Sequence, residues 1–153
     1  MDTITVNLKI DNKSYFINCT YRPPNGNLNL FIQDFTKILE DRDIICLGDF
    51  NIDLSKNDRI ATEYISELES LGYMQNIKVP TRITLTNQSI LDHVISKFNI
   101  NINTGVFASE LTDHLPIFAI IEKQSYTRNI PITKRDCYNK HIKNIAEDSQ
   151  TIQ

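Results

Sequence analysis

Gly48-Asp49-Phe50-Asn51, directly behind the apolar run Ile44-Ile45-Cys46-Leu47, brings a carboxylate and an amide to one end of a buried strand. The glycine lets the backbone turn sharply where the strand stops. Asp49 and Asn51, two residues apart, fall on one side of the chain at the carboxyl end of a sheet strand, where open α/β sheets gather ligands. That pair suits a water, a metal or a phosphate, although an Asx-rich turn would use the same residues. Three further polar clusters accompany it: Tyr21-Arg22, Asp92, and Asp113-His114. A histidine with a carboxylate partner can act as a general base or stabilise charge developing on a phosphate. His114 has two candidate partners, Asp113 beside it and Asp92 further off. Asp92 interrupts the apolar stretch Ile90–Ile95 and is costly to bury unpaired. Pairing it with His114 would satisfy it and leave Asp113 free for a metal.

Other chemistries fit these residues worse. There is no Gly-x-Ser-x-Gly elbow and no Gly-x-x-x-x-Gly-Lys loop, so a serine hydrolase and a nucleotide-binding loop lack their parts. Three dispersed histidines and no cysteine pair argue against zinc. His93 points away from Asp92 on the opposite strand face, and His141 lies far along the chain; both read as structurally incidental. Hydrophobic content of 41% and charged content of 23% over 153 residues match one globular domain with a real core. Cys19, Cys46 and Cys137 form no disulfide framework, which favours a reducing compartment. No signal peptide and no apolar run of membrane-spanning length stand out, so an intracellular place, nuclear or cytoplasmic, is expected.

The net charge of −3 is uneven. Residues 1–122 carry ten Lys/Arg against sixteen Asp/Glu, whereas residues 123–143 carry six Lys/Arg against Asp136 alone. An acidic body cannot hold nucleic acid by bulk attraction, and handling phosphates would require a divalent cation to offset its carboxylates. The basic tail reads as a solvated linker that could also touch a phosphate backbone.

The elements that must position these groups follow from periodicity. Ile4, Val6, Leu8 and Ile10 alternate with polar residues, as do Tyr15, Ile17, Cys19 and Tyr21 after a turn at Asp11-Asn12-Lys13, which is a hairpin pattern. Pro23-Pro24 ends it. Leu28, Phe31, Phe35, Ile38 and Leu39 fall at helical spacing, and Ile60, Tyr64, Ile65, Leu68 and Leu71 make a second stripe between Asp58 as N-cap and Gly72 as stop. Strands are expected at 90–95, 102–107 and 115–121, with a short helix near 134–146. Interleaved strands and helices make the class α/β.

Five motifs in order carry a resemblance: Tyr21-Arg22-Pro23-Pro24, Gly48-Asp49-Phe50-Asn51-Ile52-Asp53, Pro80-Thr81-Arg82, Ser89-Ile90-Leu91-Asp92-His93-Val94 and Thr112-Asp113-His114-Leu115-Pro116. Over residues 4–122 the chain resembles the endonuclease/exonuclease/phosphatase superfamily, and within it the endonuclease domain of non-LTR retrotransposon reverse transcriptases. The resemblance implies the two-sheet α/β sandwich of the DNase I-like fold and Mg²⁺-dependent phosphodiester hydrolysis of DNA, with Mn²⁺ as a substitute. By that resemblance Asp49 would position or deprotonate the attacking water and Asn51 would hold it or the phosphate oxygens. Tyr21 would donate to the phosphate, His114 oriented by Asp92 would bind it, and Asp113 would assist at the metal. Arg22, Arg82 and Thr84 would contact the nucleic acid, Thr84 and Arg82 alternatively bracing the loop before Asp92.

Two departures qualify the expectation. Thr112 stands where the family usually has serine, keeping the hydroxyl. The family's front strands bear an Asn and a Glu that serve the magnesium site, yet only one hairpin precedes Tyr21 and no Glu precedes residue 40. Residues 1–123 are therefore expected to be the C-terminal part of such a domain, separate from a reverse transcriptase, with 124–153 as a basic tail. Impaired activity is expected on that basis, the alternative being a non-catalytic remnant that at most binds nucleic acid.

Overall fold

The computed structural model describes residues 1–10, 12–40, 43–109 and 111–122. The expected basic tail, the helix near 134–146, Cys137 and His141 lie outside the described residues. Eleven elements follow one another within the described residues: β1 (Asp2–Ile10), β2 (Lys13–Tyr21), α1 (Leu28–Glu40), β3 (Ile44–Asp49), α2 (Arg59–Ser70), β4 (Tyr73–Gln75), β5 (Arg82–Ile83), β6 (Gln88–Ser89), β7 (Asp92–Lys97), β8 (Ile102–Val106) and β9 (Ile117–Ile121). Five strands form one mixed sheet in the order β1-β2-β3-β7-β4, while β5-β6 and β8-β9 are antiparallel pairs.

The run Ile44-Ile45-Cys46-Leu47 is apolar throughout because both faces of β3 are covered. Ile44 and Cys46 pack under the helices with Phe31, Phe35, Phe50, Tyr64 and Leu68. Ile45 and Leu47, turned to the other face, pack with Ile17, Val94 and residues of the β8-β9 hairpin. That layering yields the sandwich. Both helices begin on side-chain caps: Asn27 Oδ1 accepts the Leu30 amide at 3.1 Å, and Asp58 Oδ1 accepts the Ala61 amide at 2.9 Å.

Parallel pairing of β2 with β3 sets Tyr21 opposite Asp49, and antiparallel pairing of β3 with β7 sets Asp49 opposite Asp92. Three residues of different motifs thereby become neighbours in one row. Gly48 makes the first pairing possible. Its φ is +150°, and a Cβ there would lie 1.9 Å from the Thr20 carbonyl oxygen. Only glycine tolerates that approach.

Two expected strands differ in extent. β7 starts at Asp92 rather than at Ile90, so Asp92 opens the strand instead of interrupting it. β9 starts at Ile117, because Leu115 is drawn aside: its amide donates to the Thr81 carbonyl at 2.7 Å.

Candidate active site

Asp49 closes β3 and is held by its own turn. Its Oδ1 accepts the backbone amide of Asn51 at 3.0 Å, and Asn51 adopts φ +49°, a left-handed conformation that asparagine tolerates. The Asx turn and the site are therefore the same structure. The Asn51 side chain donates from Nδ2 to the Arg22 carbonyl at 2.8 Å, tying the turn to the end of β2. Burial raises the Asp49 carboxyl above its ordinary pKa. The Asn51 amide opposes that rise, the Asp92 charge adds to it and His114 opposes it.

The structure brings His114 to Asp92, its Nδ1 lying 3.0 Å from Asp92 Oδ2, with both side chains half-buried or deeper. The segment around His114 is fixed by backbone pairing with the residues that open β5. Arg82 and His114 form an antiparallel bridge, and the Ile83 amide donates to the Asp113 carbonyl at 2.9 Å. Thr112 Oγ1 accepts the His114 amide at 3.1 Å, so the hydroxyl at this position caps the turn. Asp49, Asp92 and His114 each offer a ligand atom, all within 4.8 Å of one another, a grouping that could hold a metal ion. Tyr21 sits half-exposed at the end of β2 in the same row.

Other expected site residues are placed differently. Asp113 stands outside that group; its Oδ2 accepts Arg82 Nε at 2.7 Å, and this bond to Arg82 holds its carboxyl below the usual range. Arg22 is 6% exposed and is no surface contact. Its guanidinium donates to the carbonyls of Phe50, Pro23, Gly26 and Asn51 at 2.8–3.1 Å, clamping the loop that carries Asp49 and Asn51. Thr84 closes the β5-β6 turn, where its hydroxyl donates to the Asn87 carbonyl and accepts the Asn87 amide. Arg82 is half-exposed beside Asp113 and remains accessible.

His93, read as incidental, is a fully buried core residue. Its ring stacks on Phe50 with centroids 5.0 Å apart and lies 3.2 Å from the Tyr64 hydroxyl through Nδ1. Two residues had no role from the sequence. Asp53 Oδ1 accepts the amides of Ser55 and Ile90, joining the loop after Asn51 to the approach to β7. Thr81 is buried beneath Asp92. Their roles rest on distant partners, Ile90 for Asp53, 37 residues on, and Leu91 and Asp92 for Thr81, 10 and 11 residues on, which leave no local signal.

The endonuclease-reverse transcriptase family matches residues 15–118, a span that contains every group above. The chain belongs to that family. No curated protein matches it. Among solved structures, the endonuclease domain of TRAS1, a telomere-specific non-LTR retrotransposon, superposes with a TM-score of 0.68 at 18% identity, covering 80% of this chain and 64% of that one. An endonuclease/exonuclease/phosphatase family protein from Leptotrichia buccalis gives 0.58 at 15% identity, covering 79% and 53%. Beta toxin from Staphylococcus aureus gives 0.54 at 12% identity, covering 78% and 57%. The fold shared with the TRAS1 domain is the DNase I-like one, and the chain spans about two-thirds or less of each of these structures. Among the described residues, no helix is long and apolar enough to cross a membrane.

Proposed function

We propose that Asp49, Asn51, Asp92, His114 and Tyr21 form the phosphate-handling part of a divalent-metal-dependent DNA endonuclease site. The observation that carries this reading is the Asp92–His114 hydrogen bond set within 4.8 Å of the Asp49 carboxylate. With Nδ1 engaged by Asp92, Nε2 is the ring nitrogen left to face the phosphate, as an acceptor in the neutral ring and as a donor to a phosphate oxygen once the ring is protonated. Asp49 is held rigidly by the Asn51 amide and is positioned to orient a water for attack and to take its proton. Tyr21 supplies a hydroxyl from the adjacent strand end for the negative charge that develops on the phosphate.

The donor set fits a hard cation. The two carboxylates of the group suit Mg²⁺ or Mn²⁺, which keep several waters when protein ligands are few. Asp49 and Asp92 would hold it, beside His114, and it would supply charge stabilisation at the cleaved phosphate. Asp113 belongs instead with Arg82, in a pair exposed at the edge of the site and suited to the nucleic-acid backbone. A partner reverse transcriptase in the parent protein and an intracellular setting accompany this reading as proposals.

A second reading has its own observation. Two carboxylates, one already bonded to a histidine, make a weak cation site, which favours a chain that binds DNA without cutting it. Nicking of supercoiled plasmid in Mg²⁺ and in Mn²⁺, run beside DNA binding, separates the two. Metal-dependent nicking lost in Asp49→Ala and in His114→Ala supports the endonuclease. Binding without nicking in either metal supports the second reading, and neither binding nor nicking refutes both.

A further inference from the structure

Thr81 is fully buried and makes four hydrogen bonds that reach both halves of the Asp92–His114 pair. Its Oγ1 accepts the amides of Leu91 and Asp92, each at 3.0 Å, where β7 begins. Its carbonyl accepts the amide of Leu115, next to His114, at 2.7 Å, and its own amide donates to the Ser89 carbonyl at 2.9 Å. Asp92 and His114 lie 22 residues apart and belong to no common pairing of strands. Thr81 bonds directly to both backbones, next to the Arg82–His114 bridge. We propose that Thr81 is a positioning residue that holds the Asp92 carboxylate on His114 Nδ1 and thereby fixes which ring nitrogen is left for the phosphate.

The physical reason lies in the doubly accepting hydroxyl. Two successive amides converge on one fully buried oxygen, and without it both lose their acceptor, the Leu91 amide in a place closed to water. The opening of β7 would then rotate to find other partners, taking the Asp92 carboxylate off the histidine. A neutral imidazole released from such a carboxylate reverts to its ordinary tautomer mixture. Valine has the shape of threonine without the oxygen, and serine keeps the oxygen without the methyl. The pair of variants isolates the hydroxyl.

The proposal rests on reading Asp92–His114 as the phosphate-handling pair, but its test involves no cleavage. In nitrogen-resolved NMR of the full chain, recorded where imidazoles are neutral, wild-type His114 should carry its proton on Nδ1, and the Leu91 and Asp92 amides should exchange slowly. In Thr81→Val the His114 proton should move to the mixture of both nitrogens, and those two amides should exchange about 10-fold faster or more. Thr81→Ser should restore both. The buried His93 ring serves as internal control, since general loosening of the core would shift its signals too. An unchanged His114 tautomer in the valine variant overturns the proposal. Should that variant not fold, the wild type and Thr81→Ser decide: unprotected Leu91 and Asp92 amides, or a wild-type His114 protonated on Nε2, overturn it equally. A chain that never nicks DNA yet shows the Thr81-dependent tautomer would sink the endonuclease reading alone.

Discussion

His93 lies sealed between Phe50, Tyr64 and the Ile52 and Ile90 carbonyls, so a proton added to its ring must enter without water. Burial lowers its pKa from 6.5 to about 4, against smaller upward effects from the two carbonyls and the Asp53 charge. In the unfolded chain the same ring titrates normally. Between those two values the unfolded state binds more protons than the folded one, so stability is complete above about pH 6.5 and drains away as the pH falls toward 4. At 1.36 kcal/mol per pH unit of differential binding, the loss through this ring is about 2 kcal/mol between pH 7 and pH 5, and about 3 kcal/mol by pH 4. Against a typical domain stability of roughly 5–15 kcal/mol, that is a large share.

Urea unfolding at pH 7, 6 and 5 measures the loss, and His93→Gln isolates it, because glutamine keeps an amide donor and does not titrate. Asp49 acts with the opposite sign: its carboxyl is raised in the fold, so it favours the folded state at low pH and loses that effect as the pH rises. The difference between wild type and variant cancels this contribution. Wild type should lose about 2 kcal/mol more than His93→Gln from pH 7 to pH 5. Equal losses in the two proteins would refute the reasoning, and would mean that the ring is hydrated or that the core opens to accept the proton.

Three further outcomes follow from single contacts. Gly48→Ala, which drives a methyl to 1.9 Å from the Thr20 carbonyl oxygen, should cost about 3 kcal/mol or more, read as a lower urea midpoint or loss of soluble protein. Arg22→Ala should cost about 3 kcal/mol, because four backbone carbonyls lose a charged donor, and Arg22→Lys should recover little for want of the planar fork. Arg82→Ala should leave the melting temperature nearly unchanged, the Asp113 pair being half-exposed, while lowering the salt dependence of DNA binding by a slope of about 0.9; an unchanged slope would remove Arg82 from the nucleic-acid contact.

Much of the frame was legible because it rests on local pattern. The alternation in β1 and β2, the helical stripes of α1 and α2, the Asp58 cap and the doubly covered run of β3 are set by near neighbours. The two-residue strands β5 and β6 carry no period and left no trace in the sequence. Side-chain partners were legible only where burial forced them, as with Asp92, whose position in the apolar stretch Ile90–Ile95 demanded a partner. Arg22 could not be read this way. An arginine beside two prolines looks exposed until the carbonyls of Phe50 and Asn51, 28 and 29 residues on, fold over it. Asp113 likewise took Arg82, 31 residues away, in place of the metal group. Both outcomes depend on which loops meet, and no short-range periodicity encodes that.

Register gives the site its economy of parts. Tyr21, Asp49 and Asp92 end up side by side only because β2 and β7 pair with β3 at one offset each. Side chains alternate between faces, so a slip of one residue between β2 and β3 would turn Asp49 toward the helices and Cys46 toward the β8-β9 hairpin. Two features resist that slip. Ile44 and Ile45 must each meet a different apolar layer, and Gly48 lets β3 approach Thr20 at a point where any side chain would collide. The glycine of the Gly48–Asn51 motif therefore acts twice, once in permitting the turn that presents Asp49 and Asn51, and once in fixing the offset that places Asp49 beside Tyr21. Arg22, one residue past the row and almost fully buried, then locks the same loop from beneath through its bonds to the Phe50 and Asn51 carbonyls. Precision at the Asp49 and Asp92 carboxylates comes from contacts made behind them, which is why substitutions at Gly48, Arg22 and Thr81 should disturb the candidate site through its backbone.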